Sequence, residues 1–431
     1  MAVVLPARVV QQREFVHGAG LSWEDLALAW RLDDEISARR LRRALGALVA
    51  RHESLRSSLM RLDGEVVQRV APADGCGPPL ELIELPARAA GGSDPLADAL
   101  LPLRRERIDL GGERLVRTLL MRGPGEARHL VVLAPHALLD AWSSGVLERE
   151  LNELLSGARP SPLAVQVGDV AAWEAATASR RAGGARRDPP APLPLPRVGR
   201  ARDRLDFDPE LTSAAIGAAE LAALGRVARG AGATPTTALA AALAALVSAA
   251  TGGERLTLAL QESNRDRPEL RPLIGSLTDL TLIDVTVELE RGFDALLETV
   301  AAALRAARAD PLPAEAQLPV GVDPLARAPF ADVVFNRVPR RVAAPGRPLR
   351  RVPLRNGSIR RRTGANPWGC QITLNLLDEA DGSATALGMF NRLVFERAEM
   401  AATVAAFGRL VAAVGTEPRA PIASLLGPLP W

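Results

Sequence analysis

The chain has 431 residues, 48% of them hydrophobic and 24% charged, with a formal net charge of +3. That length exceeds one ordinary core and predicts two domains of about 200 residues each in a globular, soluble protein. All 53 basic residues are arginine and aromatics make up 3%, so the basic pI reflects arginine's high pKa rather than a nucleic-acid-binding stripe with stacking rings. No run of about 18 uncharged apolar residues appears, and no membrane span is expected. Residues 1–8 lack a basic segment leading into a long apolar core, so no secretory signal is expected and the cytoplasm is the default. Cys76 and Cys370 are far apart, and His17, His52, His129 and His136 form no metal-ligand spacing, so no metal site is expected.

In chain order, residues 26–32 read as a strand. Residues 36–55 follow as an amphipathic helix with Leu41, Leu45, Leu48 and Val49 on one face. Strands are predicted at 65–70, 114–121 and 130–134, and a helix at 143–155. Residues 181–203 contain Asp188-Pro189-Pro190-Ala191-Pro192-Leu193-Pro194, a proline-rich connector unable to form a helix or central strand. It separates a first lobe, 1–180, from a second, 204–431. In the second lobe a helix is predicted at 220–229. Another begins with Thr234 as cap and Pro235 in the first turn, and Gly252-Gly253 ends it. Strands at 256–260 and 280–289, a helix at 293–307, strands at 332–335, 371–376 and 384–390, and a helix at 397–414 complete it. Strands and helices alternate in both lobes, which predicts a mixed α/β architecture.

The most informative stretch is Pro135-His136-Ala137-Leu138-Leu139-Asp140-Ala141-Trp142. A buried strand ends at His136 and an aspartate follows four residues later. Such an ending places an imidazole at a sheet edge, where it can serve as a base, while the carboxylate fixes the loop. Ser143 reads as the cap of the next helix, Trp142 as core packing under the loop, and His52 as a hydrogen-bonding residue at a helix end. His17 sits in the Gly-rich loop His17-Gly18-Ala19-Gly20.

These blocks, taken together in their order, resemble the condensation domains of nonribosomal peptide synthetases, members of the chloramphenicol acetyltransferase-like acyltransferases. The family signature His-His-x-x-x-Asp-Gly-Trp-Ser is matched by residues 135–143, with Pro135 in place of the first His and Ala141 in place of the Gly. Arg51-His52-Glu53-Ser54-Leu55-Arg56 resembles the family's Arg-His-Glu-x-Leu-Arg block, and Asp169 with Trp173 retains a weak Asp-x-x-x-Trp block. Asn264-Arg265-Asp266-Arg267-Pro268-Glu269-Leu270, followed by Ile274-Gly275-Ser276-Leu277-Thr278-Asp279, resembles a block that ends in Asn in the family. Residues 329–336, ending in Phe335-Asn336, resemble a family strand.

The resemblance implies two acyltransferase-like lobes forming a V-shaped pseudo-dimer with the active site in the cleft between them. It implies an acyltransferase that joins an acyl group on a carrier-protein phosphopantetheine thioester to an amine or hydroxyl, in nonribosomal peptide, antibiotic or related natural-product biosynthesis. His136 takes the catalytic position, Asp140 a structural one, and Arg56 is the expected partner of Asp140. Pro135, Ala141, Trp142, Ser143, His17, Asp279 and Asn336 are candidates for the donor and acceptor channel. No bound cofactor is implied; the partners are a carrier protein and a small amine or alcohol, with neither nucleic acid nor membrane, and the chain is expected to be a monomer. The altered signature supports an alternative, a catalytically silent condensation-like domain that recruits partner enzymes. An acyl-coenzyme A transferase of the same fold is a third reading.

Overall fold

The computed structural model describes residues 2–22, 24–74, 80–85, 95–103, 106–123, 128–181, 207–309, 331–339, 347–352, 358–360, 370–427 and 429. The chain opens with β1 (Val3–Pro6), α1 (Val9–His17), β2 (Glu24–Leu32), α2 (Ala38–Arg51), β3 (Ser57–Leu62), β4 (Glu65–Val70), β5 (Leu80–Glu84) and α3 (Pro95–Leu103). It continues through β6 (Arg117–Arg122), β7 (His129–Pro135), α4 (Ala141–Leu155), α5 (Val167–Arg181), β8 (Pro209–Ile216), α6 (Ala218–Gly230), α7 (Pro235–Thr251) and β9 (Arg255–Glu262). The remainder is β10 (Asp279–Thr286), α8 (Phe293–Ala309), β11 (Val333–Val338), β12 (Leu349–Val352), β13 (Ser358–Arg360), β14 (Ile372–Asp378), β15 (Ala384–Asn391), α9 (Arg397–Thr416) and α10 (Ile422–Leu425).

Two compact units result. The first comprises Met1–Arg180, Ser263–Thr278 and Arg341–Arg361; the second comprises Arg181–Glu262, Asp279–Arg340 and Arg362–Trp431. The expected second lobe, 204–431, is therefore not one block, because two of its segments belong to the first unit. The physical reason is long-range hydrogen bonding: β12 and β13 both pair with β2, and residues 263–278 supply an arginine to a buried carboxylate described below. From residue 182 onward, the expected connector 181–203 lies outside the described residues.

In the first unit the main sheet has the order β12-β2-β7-β6-β5, with β13 also on β2, and a separate sheet has the order β1-β4-β3. Alternate strand residues face opposite sides, as the two-residue period requires. Leu28, Trp30, Leu32, Leu130, Val132 and Ala134 join Leu41, Leu45 and Leu48 of α2 and Val146, Leu147 and Leu151 of α4 in one core. Ala27, Ala29, Val131 and Leu133 form a second, thinner layer with Leu96 and Leu100 of α3. The predicted helix 36–55 is shorter than its apolar pattern. Ser37 caps it and His52, in extended conformation, ends it, leaving Glu53–Arg56 as a 3-10 turn.

The second unit has one six-stranded sheet, β10-β9-β11-β14-β15-β8. The Thr234 side chain accepts from Thr237 N at the start of α7, Pro235 stands in its first turn, and Gly252 ends it at φ +68°, a left-handed position that suits glycine. Ala238–Ala245 of α7 is buried throughout, so the small side chains let neighbouring elements approach closely. Phe293, Phe335, Phe390 and Phe407 fill the core against it. By length and composition α9 is long and apolar enough to cross a membrane, yet Met400, Val404, Phe407, Leu410, Val411 and Val414 lie in this core.

Phe407 is fully buried, and Phe407→Ala is expected to destabilise the second unit by about 3–5 kcal/mol, the range for removing a core aromatic. Urea unfolding followed by circular dichroism checks this; an unchanged midpoint contradicts the packing described.

Candidate active site

β7 crosses the first unit's sheet as a buried strand and ends at Pro135. Its pairing with β6 stops at Leu133, so the missing N–H of Pro135 removes no bond to that neighbour. The Pro135 carbonyl accepts the Leu138 N–H at 3.0 Å and closes a turn, and Gln11 Nε2 donates to the Ala137 carbonyl at 3.0 Å. Ala137, Leu138 and Leu139 are buried in the core. Within Pro135–Asp140 every residue is buried except His136, which is half-buried. The loop thus hides all of its side chains but one imidazole. Asp25, in register with Pro135 on β2, lines a cleft of about 170 Å³ with Leu26, Ile108 and Leu133 at this end of the sheet.

Asp140 anchors the other end of the loop. Its Oδ1 accepts from Ser143 N at 2.8 Å and Ser143 Oγ at 2.7 Å, which makes it the N-cap of α4. Arg265 approaches both oxygens, Nη1 to Oδ2 at 2.7 Å and Nη2 to Oδ1 at 3.1 Å, and neither side chain is exposed. Oδ2 also accepts from Leu277 N at 3.0 Å, Thr278 N at 3.2 Å and Thr278 Oγ1 at 3.1 Å. Burial alone pushes the Asp140 carboxyl up. The charge of Arg265 and the hydrogen bonds from Arg265 and Ser143 outweigh it and hold the carboxyl below its ordinary value. Ser143 Oγ accepts the Gly275 N–H at 2.9 Å, and its one proton serves either Asp140 Oδ1 or, at 2.9 Å, the Gly275 carbonyl. Gly275 is required by close approach, since a Cβ there would lie 2.3 Å from Val167 Cγ2. The Trp142 ring covers this network: Arg265 sits 5.8 Å from its centroid, and its Nε1–H donates to the Arg271 carbonyl at 2.9 Å.

The family model described as "Condensation domain" matches residues 22–316, more than half of the chain. The chain belongs to the condensation domain family. Phosphinothricin tripeptide synthetase PhsC of Streptomyces viridochromogenes is 30% identical over 300 residues, covering 64% of this chain and 27% of that protein. The chain thus spans about a quarter of the length of that relative. The condensation domain from Monacolin K polyketide synthase MokA has the same fold, with a TM-score of 0.77 at 16% identity over 98% of this chain and 99% of that one. The X-domain from teicoplanin biosynthesis also has a TM-score of 0.77, at 20% identity over 98% and 97% of the two chains. The α/β architecture read from the sequence is accordingly the chloramphenicol acetyltransferase-like fold of condensation domains.

Against that family pattern, the arginine partner of Asp140 is Arg265, not Arg56. Arg56 instead donates to the Ala71 carbonyl and lies 3.5 Å from Glu53 Oε1, while Asp140 is already saturated by other donors. The cap of α4 is Asp140 rather than Ser143, and Ser143 is fully buried in the network. Ala141 is exposed as the first residue of α4, and Pro135 is buried beside Asp25. His17 is half-buried at the C-terminus of α1 in the same unit. Asp279 and Asn336 belong to the second unit; Asp279 Oδ1 accepts from Leu280 N at 2.8 Å, and Asn336 Nδ2 donates to Asn375 Oδ1 at 3.0 Å across β11 and β14.

His52 is fully buried at the end of α2, and its Nε2 lies 2.8 Å from Glu150 Oε2. Its Nδ1 accepts the Ile274 N–H at 3.4 Å, so the neutral ring carries its proton on Nε2 toward Glu150. Burial lowers the His52 pKa below its ordinary 6.5, aided by Arg51 and Arg149 and opposed by Glu150. Among the described residues no group of three or more His, Cys, Asp or Glu side chains is placed to hold a metal ion.

Two outcomes test this geometry. Asp140→Ala leaves Arg265 charged and buried without its partner and is expected to cost about 3–5 kcal/mol, whereas Arg56→Ala costs about 1 kcal/mol or less. Chemical denaturation checks the pair, and a larger loss at Arg56 restores the sequence expectation. For His52 the folded pKa lies below the unfolded value of about 6.5, so the unfolded chain takes up the proton first on acidification. The associated stability is complete above about pH 6.5 and falls as pH drops through the window below it. Unfolding of wild type and His52→Gln between pH 7.5 and 5 is expected to show a shallower decline in the variant, and parallel curves contradict the assignment.

Proposed function

We propose that this condensation domain transfers an acyl group from a carrier-protein phosphopantetheine thioester to the nitrogen of an amine or the oxygen of an alcohol, with His136 as its base. The observation that supports this most is the loop 135–140, anchored at Gln11 and Arg265, in which the imidazole alone is open. The acceptor nitrogen or oxygen attacks the thioester carbonyl and forms the new C–N or C–O bond. Its proton passes to His136, the C–S bond breaks, and the proton then goes to the departing thiolate. No redox partner is needed. Two tethered reactants held in line supply much of the acceleration, because the entropy of encounter is already lost. An amine that arrives neutral needs less help from a base than an alcohol does. Family membership and its synthetase relatives support a role in nonribosomal peptide or related natural-product assembly with a carrier protein as partner, and a cytoplasmic location is proposed with it.

A second reading is favoured by Pro135 and Ala141, which replace the first His and the Gly of the family signature, and by the likeness to the X-domain. One solved structure holds that X-domain in a complex with OxyB. In this reading the chain recruits another enzyme and catalyses nothing.

Mass spectrometry of wild type and His136→Ala, each given acyl-carrier thioesters with amines and alcohols, separates the two. Acyl transfer by wild type, reduced about 100-fold or more in the variant for an alcohol and less for an amine, is expected. Equal rates in both remove His136 from the mechanism, and no product from either folded protein favours recruitment.

A further inference from the structure

Arg56, which does not pair with Asp140, lines a different cleft. It has a volume of about 200 Å³ and is walled by Arg56, Ser58, Arg69, Ala71, Glu113 and Arg114 in the first unit. Three chain segments contribute: the 3-10 turn that ends at Arg56, the β3–β4 hairpin, and the loop before β6. Ser58 and Arg69 are cross-strand partners in that hairpin, so their side chains lie on one face. Arg56 is fixed by the Ala71 carbonyl and by Glu53, and its buried Nε–H has no hydrogen-bond partner among the described residues. Arg69 and Arg114 are exposed and make no ion pair among the described residues. Elsewhere in this unit, arginines such as Arg8, Arg51, Arg117 and Arg122 are matched with carboxylates.

We propose that this cleft binds a phosphate-bearing small molecule. Guanidinium groups reaching one space from three segments suit an oxyanion with acceptors pointing in several directions, which phosphate offers and a planar carboxylate does not. The Ser58 hydroxyl adds a further donor. Leu55 and Val116 give the cleft an apolar side for the rest of the molecule. Binding of a free phosphate compound here does not depend on the acyl-transfer reading, whereas binding of a carrier's arm rests on it.

Isothermal titration of the full chain with inorganic pyrophosphate, and in parallel with 4′-phosphopantetheine, tests the assignment. Saturable binding near one equivalent is expected. Tighter binding of 4′-phosphopantetheine points to the arm of a carrier, and tighter binding of pyrophosphate to a free phosphate compound. Arg69→Gln with Arg114→Gln is expected to weaken binding about tenfold or more, the scale of losing charge-assisted hydrogen bonds. Arg42→Gln with Arg43→Gln removes the same charge from the exposed face of α2 and is expected to leave binding unchanged. Both arginine pairs are exposed, so neither double variant disturbs the core. Absence of saturable binding by wild type, or equal loss in the two double variants, overturns the proposal.

Discussion

A carboxylate and a guanidinium, both without exposure to solvent, meet at Asp140 and Arg265. Such a pair is costly to bury unless its remaining hydrogen-bonding capacity is met. Here the carboxylate caps α4, accepts from Arg265 on both oxygens, and takes two further backbone N–H groups from Leu277 and Thr278. One side chain therefore fixes the start of a helix, the end of the His136 loop and the path of residues 263–278. Removing either partner leaves the other charged in a site without solvent, which is why the pair acts as one constraint.

That constraint shapes the chemistry. With Ala137, Leu138 and Leu139 packed in the core and the loop closed at both ends, His136 is presented from rigid backbone. A reaction between two carrier-bound or small reactants needs position more than it needs many catalytic groups. In the proposed reaction a single imidazole on an over-determined loop would meet that need, and Pro135 costs no bond to β6 because the strand has already lost that neighbour at this point.

Local elements were legible in the sequence because their signals are local. The Thr234 cap, the Gly252 stop and the unbroken apolar run of β7 are each contained in a few adjacent residues. Arg265 was not legible as the partner of Asp140, although it stands in a quoted block, since the two are 125 positions apart and no periodicity joins them. Arg56 was the nearer arginine in a matching motif, but its guanidinium turns to Ala71 and Glu53. The same limit explains the two segments that join the first unit: β12 and β13 earn their place through pairing with β2, far earlier in the chain. Ser143 had the composition of a cap, yet the residue three positions before it reaches the free N–H groups first.

The most direct measurement is a double-mutant cycle in acyl-transfer turnover, with Asp140→Ala, Arg265→Ala and the double variant assayed on one carrier-bound donor. If the pair places His136 as a unit, each single variant and the double variant lose turnover to about the same degree. Losses that multiply independently, or wild-type turnover in Arg265→Ala, would show that His136 is positioned by something else.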